Sequence, residues 1–437
     1  MSKLPPKLIN LTPVQRRFQF DNHRFITLPA GRRSRKTLIG KWKILHYALE
    51  NPGEKLFEGA PTNDQAKSIF WDDLKSWTHY LRVPGRHGIN ESDLWVKLKN
   101  GSYIRVVGLD KPARIEGRPW NGCLITECGD IRPETWSNHV LPALSDTNGF
   151  AILEGVPEGL DWFYDICLKA AGGALPEGRD GGVYAENRDE KHWIYYHWYS
   201  SDVLTTEQIE IMKQNMDERT FRQEAMASFE AYGGKAYYNF GEWNLKKVDY
   251  DDKEFVHIGM DFNVNPMTAT LSHVRGDEIC QFGEIYMGHS NTPQMIEEIL
   301  SYTDDWNDTG KPIKKEQIVI YPDSTGRSMT SNATQSDIAL LEKAGFKIMA
   351  KAANPRQKDR IASINTRFKS TAGDVRYWVD PRCKMTVRDF NNVERENDGR
   401  IKKNKETDSV GLTHISDAAG YKTHYLFPFR RGAFTEV

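Results

Sequence analysis

The sequence predicts an α/β fold in two successive parts, and three observations carry that expectation. A short apolar run from Phe25 to Pro29 passes through a small-residue turn directly into a helical stretch, Leu38 to Leu49. Strand-like apolar runs then alternate with helical patterns, the rhythm of a parallel sheet with crossover helices. In the second half, two apolar runs and one late helical pattern each carry an isolated aspartate: Asp261, Asp323 and Asp417.

At 437 residues the chain is long enough for two or three domains, since a single core stops growing below that size. A net charge of −1 argues against a uniformly basic nucleic-acid coat. Residues 341–405 nevertheless hold 17 Lys and Arg against 8 Asp and Glu, a local excess suited to tracking phosphates beside an acidic metal site. No run approaches the length of a membrane span. The opening Met1-Ser-Lys-Leu-Pro-Pro is too short and polar for a signal or transit segment. The five cysteines, at 123, 128, 167, 280 and 383, lack paired metal spacing, and the odd count points to reduced thiols.

The first turn, Ala30, Gly31, Arg32, Arg33, Ser34, Arg35, Lys36 and Thr37, reads as a phosphate-binding loop that is off consensus at both glycine positions, Ala30 first and Arg35 last. In such a loop backbone N–H groups face phosphate, the Lys reaches the terminal phosphates and the Ser/Thr ligates Mg2+. A basic turn capping a helix is the competing reading. Upstream, Gln15 stands where several nucleotide-driven motors bond the adenine edge. A strand at 55–60 leads to Thr62, placed to cap a helix whose buried side is Ile69, Phe70, Leu74 and Trp77. Residues 94–108 form a hairpin turning at Asn100-Gly101. Gly122-Cys-Leu-Ile-Thr-Glu127 is a strand ending where a nucleotide hydrolase keeps a Mg2+-binding Asp and a water-activating Glu. Thr126 replaces the first, and Glu127 retains the second. The apolar run 150–155 with the turn to Gly159 suits a γ-phosphate sensor.

In their order, Gln15, the Arg-rich loop, Ala60-Pro-Thr-Asn-Asp-Gln-Ala66, the hairpin, Arg114-Ile-Glu-Gly117, Thr126-Glu127, Trp136 with Leu141-Pro-Ala-Leu144, and Gly155-Val-Pro-Glu-Gly159 resemble the large terminase subunit of tailed bacteriophages. The resemblance implies a P-loop (ASCE-type) ATPase domain over 1–230, with a lid subdomain at about 171–230. In that last region Ile209, Met212, Met216, Phe221 and Met226 are expected to point inward. A hinge over 231–255 and a nuclease domain with a C-terminal tail over 256–437 follow.

Within the second part, residues 256–284 read as a three-stranded antiparallel start carrying Asp261, and 317–323 as a strand ending in Asp323. Asp417 lies on a final helix, one turn from His414. This is the RNase H-like arrangement, in which hard oxygen ligands gather two divalent ions roughly 4 Å apart. The helix resembles the terminase nuclease, although Ile415-Ser416 stand where that family keeps two aspartates. Asp408 is a weak substitute. The basic helix from Asn354 to Lys369, the turn 399–405 and the tail 427–434 are candidates for contacts with duplex DNA or a docking partner.

The resemblance implies ATP-driven packaging of double-stranded DNA into a procapsid and cleavage of concatemeric DNA. Lys36 would hold the β/γ phosphates and Thr37 the Mg2+, while Glu127 orients the attacking water. Arg32, Arg33 or Arg35 would neutralise transition-state charge in cis, with Arg114 and Arg118 as candidates in trans. Asp261, Asp323 and Asp417 would bind Mg2+ or Mn2+. The partners implied are DNA, the portal ring, the small terminase subunit and further copies in a homo-oligomeric ring, a pentamer by family resemblance. Action in the host cytoplasm, with transient docking at the portal vertex and absence from the mature virion, is implied too. A helicase-nuclease or transposase-like enzyme, and a binding protein with a decayed ATP site, are the alternatives.

Overall fold

A parallel sheet needs crossover connections covering both faces, and the first half of the chain supplies them. The computed structural model describes residues 10–176, 192–231, 233–301, 313–327, 335–396, 399–402 and 412–429. Residues 178–182 in the expected lid subdomain, residues 403–405 of the basic turn, Asp408 and tail residues 430–434 lie outside the described residues. The chain divides into two units, 1–209 with 222–230, and 210–221 with 231–437. Residues 210–221 thus cluster with the second unit rather than with the first domain expected from sequence.

The first unit is built on eight strands: β1 (Phe25–Pro29), β2 (Lys55–Ala60), β3 (Ile89–Asn90), β4 (Trp95–Lys97), β5 (Tyr103–Gly108), β6 (Gly122–Ile125), β7 (Phe150–Gly155) and β8 (Trp193–Tyr195). They lie in the order β3-β4-β5-β2-β6-β7-β1-β8. From β5 to β8 every pairing is parallel, while β3 and β4 add an antiparallel edge. The Asn100-Gly101 turn forms as expected, with Gly101 at φ 92°, a backbone open to glycine at little cost. Strand β7 separates β1 from β6, so the loop after β1 and the acid after β6 sit at one end of the sheet with a single strand between them. Helix Lys36–Glu50 covers one face through Ile39, Ile44 and Leu45, and Phe57, Trp120 and Phe163 fill the other.

Thr62 caps its helix as expected, accepting the Gln65 N–H at 3.3 Å. The buried side differs, because Lys67–Trp71 is a π-helical turn that adds a residue to the period. Trp71 is thereby buried, while Ile69 and Trp77 are only partly covered.

In the second unit, β9 (Gly234–Lys235), β10 (Val256–Asp261), β11 (Met267–Arg275), β12 (Glu278–Met287), β13 (Ile318–Pro322), β14 (Lys347–Ile348), β15 (Tyr377–Val379) and β16 (Glu394–Arg395) are formed. Six of them make a mixed sheet ordered β14-β13-β10-β11-β12-β15. The antiparallel meander β10-β11-β12 matches the expectation, and β13 lies parallel to β10. The stretch expected as a hinge is built into this unit: β9 pairs with β16, and Ala236, Tyr237, Val248 and Tyr250 are buried in its cores.

Helix His414–Leu426 beds directly on β10. A Cβ on Gly259 would lie 2.1 Å from the Ala418 carbonyl oxygen, so only glycine admits this approach. Of the inward residues expected near the lid, Met212, Met216 and Phe221 are buried. Met226, 37% exposed, points outward, because the stretch breaks into two helices, Thr206–Asn215 and Glu218–Met226.

Candidate functional site

The loop after β1 is held from several sides within its own unit. The Gln15 amide nitrogen donates to the Ser34 carbonyl at 3.0 Å, its oxygen accepts the Thr12 N–H, and Trp198 Nε1 donates to Ser34 Oγ at 3.0 Å. Gln15 is fully buried, and each end of its amide makes one bond that braces the loop, leaving one N–H and one carbonyl lone pair. Gly31 is hemmed in, since a Cβ there would lie 2.5 Å from the Ala225 carbonyl oxygen and from Ser200. The Arg32 N–H donates to the Glu224 carbonyl at 2.7 Å, and its guanidinium is paired with the Glu224 carboxylate. Ala30 is fully buried and its N–H donates to Gly155 at 3.1 Å.

Two loop residues adopt left-handed backbone without being glycine: Arg33 at φ 58° and Arg35 at φ 67°. Arg35 thus has the backbone that explains a glycine at its position. Glu127 is left-handed as well, at φ 52°. Such conformations cost free energy and concentrate at functional sites.

Lys36, 7% exposed, opens helix Lys36–Glu50. Burial lowers its pKa, and the carboxylates of Glu127 and Glu154 oppose that shift. The loop lysine and the strand-end glutamate read from sequence are therefore within electrostatic reach of one another. Glu154, on β7, is the residue that sequence reading missed. It is fully buried and faces Lys36, Thr37 and Thr126. The available signal was an acid inside the apolar run Phe150-Ala-Ile-Leu-Glu154. Arg114 is drawn to Asp110 at 3.3 Å.

In the second unit, Asp261 ends β10 and Asp323 directly follows β13, the Asp323 N–H donating to the Met260 carbonyl at 3.1 Å. The two carboxylates stand on neighbouring strand ends. Asp261 Oδ2 meets His414 Nδ1 at 3.0 Å, and Asp323 Oδ1 accepts from Asn354 Nδ2 at 2.5 Å and from the Thr325 N–H at 2.7 Å. Asp417 is bound to Arg360 at 3.0 Å. Tyr421, one turn further along the helix, feels all three acids: burial raises its pKa, Arg360 lowers it, and Asp417, Asp323 and Asp261 each raise it. All three aspartates act electrostatically on one tyrosine, yet among the described residues no group of three or more His, Cys, Asp or Glu side chains is placed to hold a metal ion. Asp261 and Asp323 fit as a ligand pair, whereas Asp417 is engaged by Arg360.

Asp389 was also missed. It is fully buried and accepts the N–H groups of Thr413 at 2.9 Å and Ser416 at 3.4 Å, capping the helix that carries Asp417. The basic helix forms at Gln357–Phe368, but Arg360 is buried against Asp417 and Tyr421 rather than presented to solvent. Arg356, Lys369, Lys384, Arg400 and Lys402 are exposed. Among the described residues no helix is long and apolar enough to cross a membrane.

No protein-family model matches the chain. The large terminase subunit of Thermus virus P23-45 is 25% identical over 271 residues, 55% of this chain and 55% of the relative. That of Thermus phage G20c is 24% identical over the same length and shares. The chain therefore spans about half the length of the curated relatives it matches. Among solved structures, the large terminase of a thermophilic bacteriophage aligns with a TM-score of 0.68 at 15% identity, over 95% of this chain and 98% of that one. The same protein in complex with ATP-gamma-S gives 0.66 at 16% identity, over 95% and 99%. The fold is that of these large terminase structures, a unit on a mainly parallel eight-stranded sheet followed by one on a mixed six-stranded sheet.

Proposed function

We propose that this chain is the motor subunit of a viral genome-packaging machine, hydrolysing ATP to translocate double-stranded DNA into a procapsid and cleaving concatemeric DNA. The observation that carries the reading is the placing of Lys36, after β1, and Glu127, after β6, at one end of a parallel sheet with a single strand between them and within electrostatic reach of each other, in a fold whose solved neighbour is in complex with ATP-gamma-S. Lys36 holds the β/γ phosphates, whose negative charge offsets the burial of its ammonium. Glu127 orients the attacking water. Arg32 or Arg33 meets the developing charge on the γ-phosphoryl group, which for Arg32 requires release from Glu224.

The Thr37 hydroxyl with the buried Glu154 carboxylate makes a donor set of the right hard-oxygen chemistry for Mg2+, which would neutralise the phosphate oxygens when bound with the nucleotide. In the second unit Asp261 and Asp323 would hold Mg2+ or Mn2+ between strand ends, and Asp417 joins them only when its pair with Arg360 opens. His414 orients Asp261. The exposed cations of residues 351–402 provide backbone contacts to duplex DNA.

By family resemblance the partners are the portal ring, the small terminase subunit and further copies in a ring, and the site of action is the host cytoplasm, with transient docking at the portal vertex. The test is packaging of DNA into purified empty proheads, with ATP turnover followed in parallel. DNA made nuclease-resistant only when ATP is supplied supports the proposal. Turnover coupled to strand separation, with no packaging, would favour a helicase-nuclease. Absence of turnover would favour a binding protein.

A further inference from the structure

Position 126, where the carboxylate that anchors the nucleotide's cation is expected, carries threonine. One strand over, the sheet places an acid at the same level. The register pairs Ile125 with Leu153, so the next residues along the two strands are Thr126 and Glu154. On the other side Glu154 pairs with Leu28 of β1, two residues before the loop begins. Glu154 follows Ile152 on the face covered by helix Lys36–Glu50, where strand alternation calls for an apolar side chain.

Its carboxyl is fully buried. Neither oxygen makes a hydrogen bond of full geometry among the described residues, although the hydroxyls of Thr37 and Thr126 lie beside them. A buried acid without strong partners is retained at a cost. The other buried acid on this face, Glu58 of β2, has its pKa raised chiefly by burial, with Lys41 the charge that acts on it most; among the described residues its partners include no loop residue.

We propose that Glu154 supplies the carboxylate that position 126 lacks, anchoring the nucleotide's divalent cation, directly or through one water, opposite the Thr37 hydroxyl. The inference rests on the ATP reading of this site. Mg2+ is commonly held by one or two carboxylates together with substrate phosphates and waters, so one acid with Thr37 and the nucleotide suffices. Before nucleotide arrives, Glu154 faces the Lys36 ammonium. Once Lys36 turns to the triphosphate, the carboxylate is left for the cation.

The test is binding of a fluorescent ATP analogue to the full chain, with Mg2+ and with EDTA. In the unmutated protein Mg2+ should tighten binding by about tenfold or more. Glu154→Gln should bring that ratio towards one, whatever it does to metal-free affinity, and adding Thr126→Asp to it should restore the ratio. An undiminished ratio in Glu154→Gln, or equal loss with and without metal, overturns the assignment while leaving the ATP reading intact. No nucleotide binding by the unmutated protein removes both. Should Glu154→Gln fail to fold, a structure of the unmutated chain with Mg2+ and a slowly hydrolysed analogue decides: Glu154 within about 4–5 Å of the cation supports the proposal, and Glu154 turned away from it refutes it.

Discussion

Arg35 offers a direct test of how this loop holds its shape without its usual glycine. Its backbone is left-handed at φ 67° and ψ 13°, a conformation that costs a side-chain-bearing residue about 1–2 kcal/mol. Glycine would remove that strain but return about 0.5–1 kcal/mol through its freedom in the unfolded chain. The 3.2 Å bond from Arg35 to the Asn10 carbonyl is exposed and contributes about 0.5 kcal/mol. Arg35→Gly should therefore be neutral to slightly stabilising. Arg35→Ala keeps the strain and loses the bond, so it should cost about 0.5 kcal/mol. Glycine then exceeds alanine by about 0.5–1 kcal/mol, the reverse of their order within a helix. Urea midpoints at constant slope measure the difference. ATP turnover should survive Arg35→Gly and be lost in Arg32→Ala and Arg33→Ala. Alanine more stable than glycine at position 35 would refute the strain argument, and loss of turnover in Arg35→Gly would make its side chain part of the phosphate grip.

The two proposed activities should separate by mutation. Lys36→Ala should lower ATP turnover on the order of 10²-fold or more and spare metal-dependent DNA cleavage; surviving hydrolysis would remove Lys36 from the site. Asp261→Ala should abolish cleavage and leave turnover intact, checked by nicking of plasmid DNA with Mg2+ or Mn2+. Lys422, buried against the hydroxyls of Thr270 and Ser272, has its pKa lowered by burial from 10.5 to about 7. Between those values the unfolded chain holds a proton that the folded one releases, so stability should rise with pH across that window. Lys422→Met should flatten the rise, as melting curves at pH 7 and 9 would show.

Much of the fold was legible because strand ends and turns carry local signatures. The Asn100-Gly101 hairpin, the Thr62 cap, the loop before helix Lys36–Glu50 and the acids closing β10 and β13 all depend on neighbours in sequence. What was not legible depends on neighbours in space. The spacing of Gln15 to the loop was visible in the sequence, whereas its burial against Ser34 was not. Arg360 belonged to a basic run by composition, yet a single pairing with Asp417 takes it out of that surface. Trp71 and Met226 fell on the wrong side because a π-turn and a helix break shift the phase of a regular 3.6-residue count. Glu154 went unremarked because one acid inside an apolar run signals nothing until the adjoining strand is known to end in Thr126.

Gly259 has a consequence for how this chain can diverge. The final helix carries Asp417 and rests where a methyl group on Gly259 would strike the Ala418 carbonyl. Every substitution at that position adds at least that methyl, so drift in the second unit is blocked there even though Gly259 bears no chemical group of its own. Sequences descended from this one can exchange much of the surrounding apolar core for residues of similar volume. At this point they inherit an empty space, and the setting of the acid on the last helix is inherited with it.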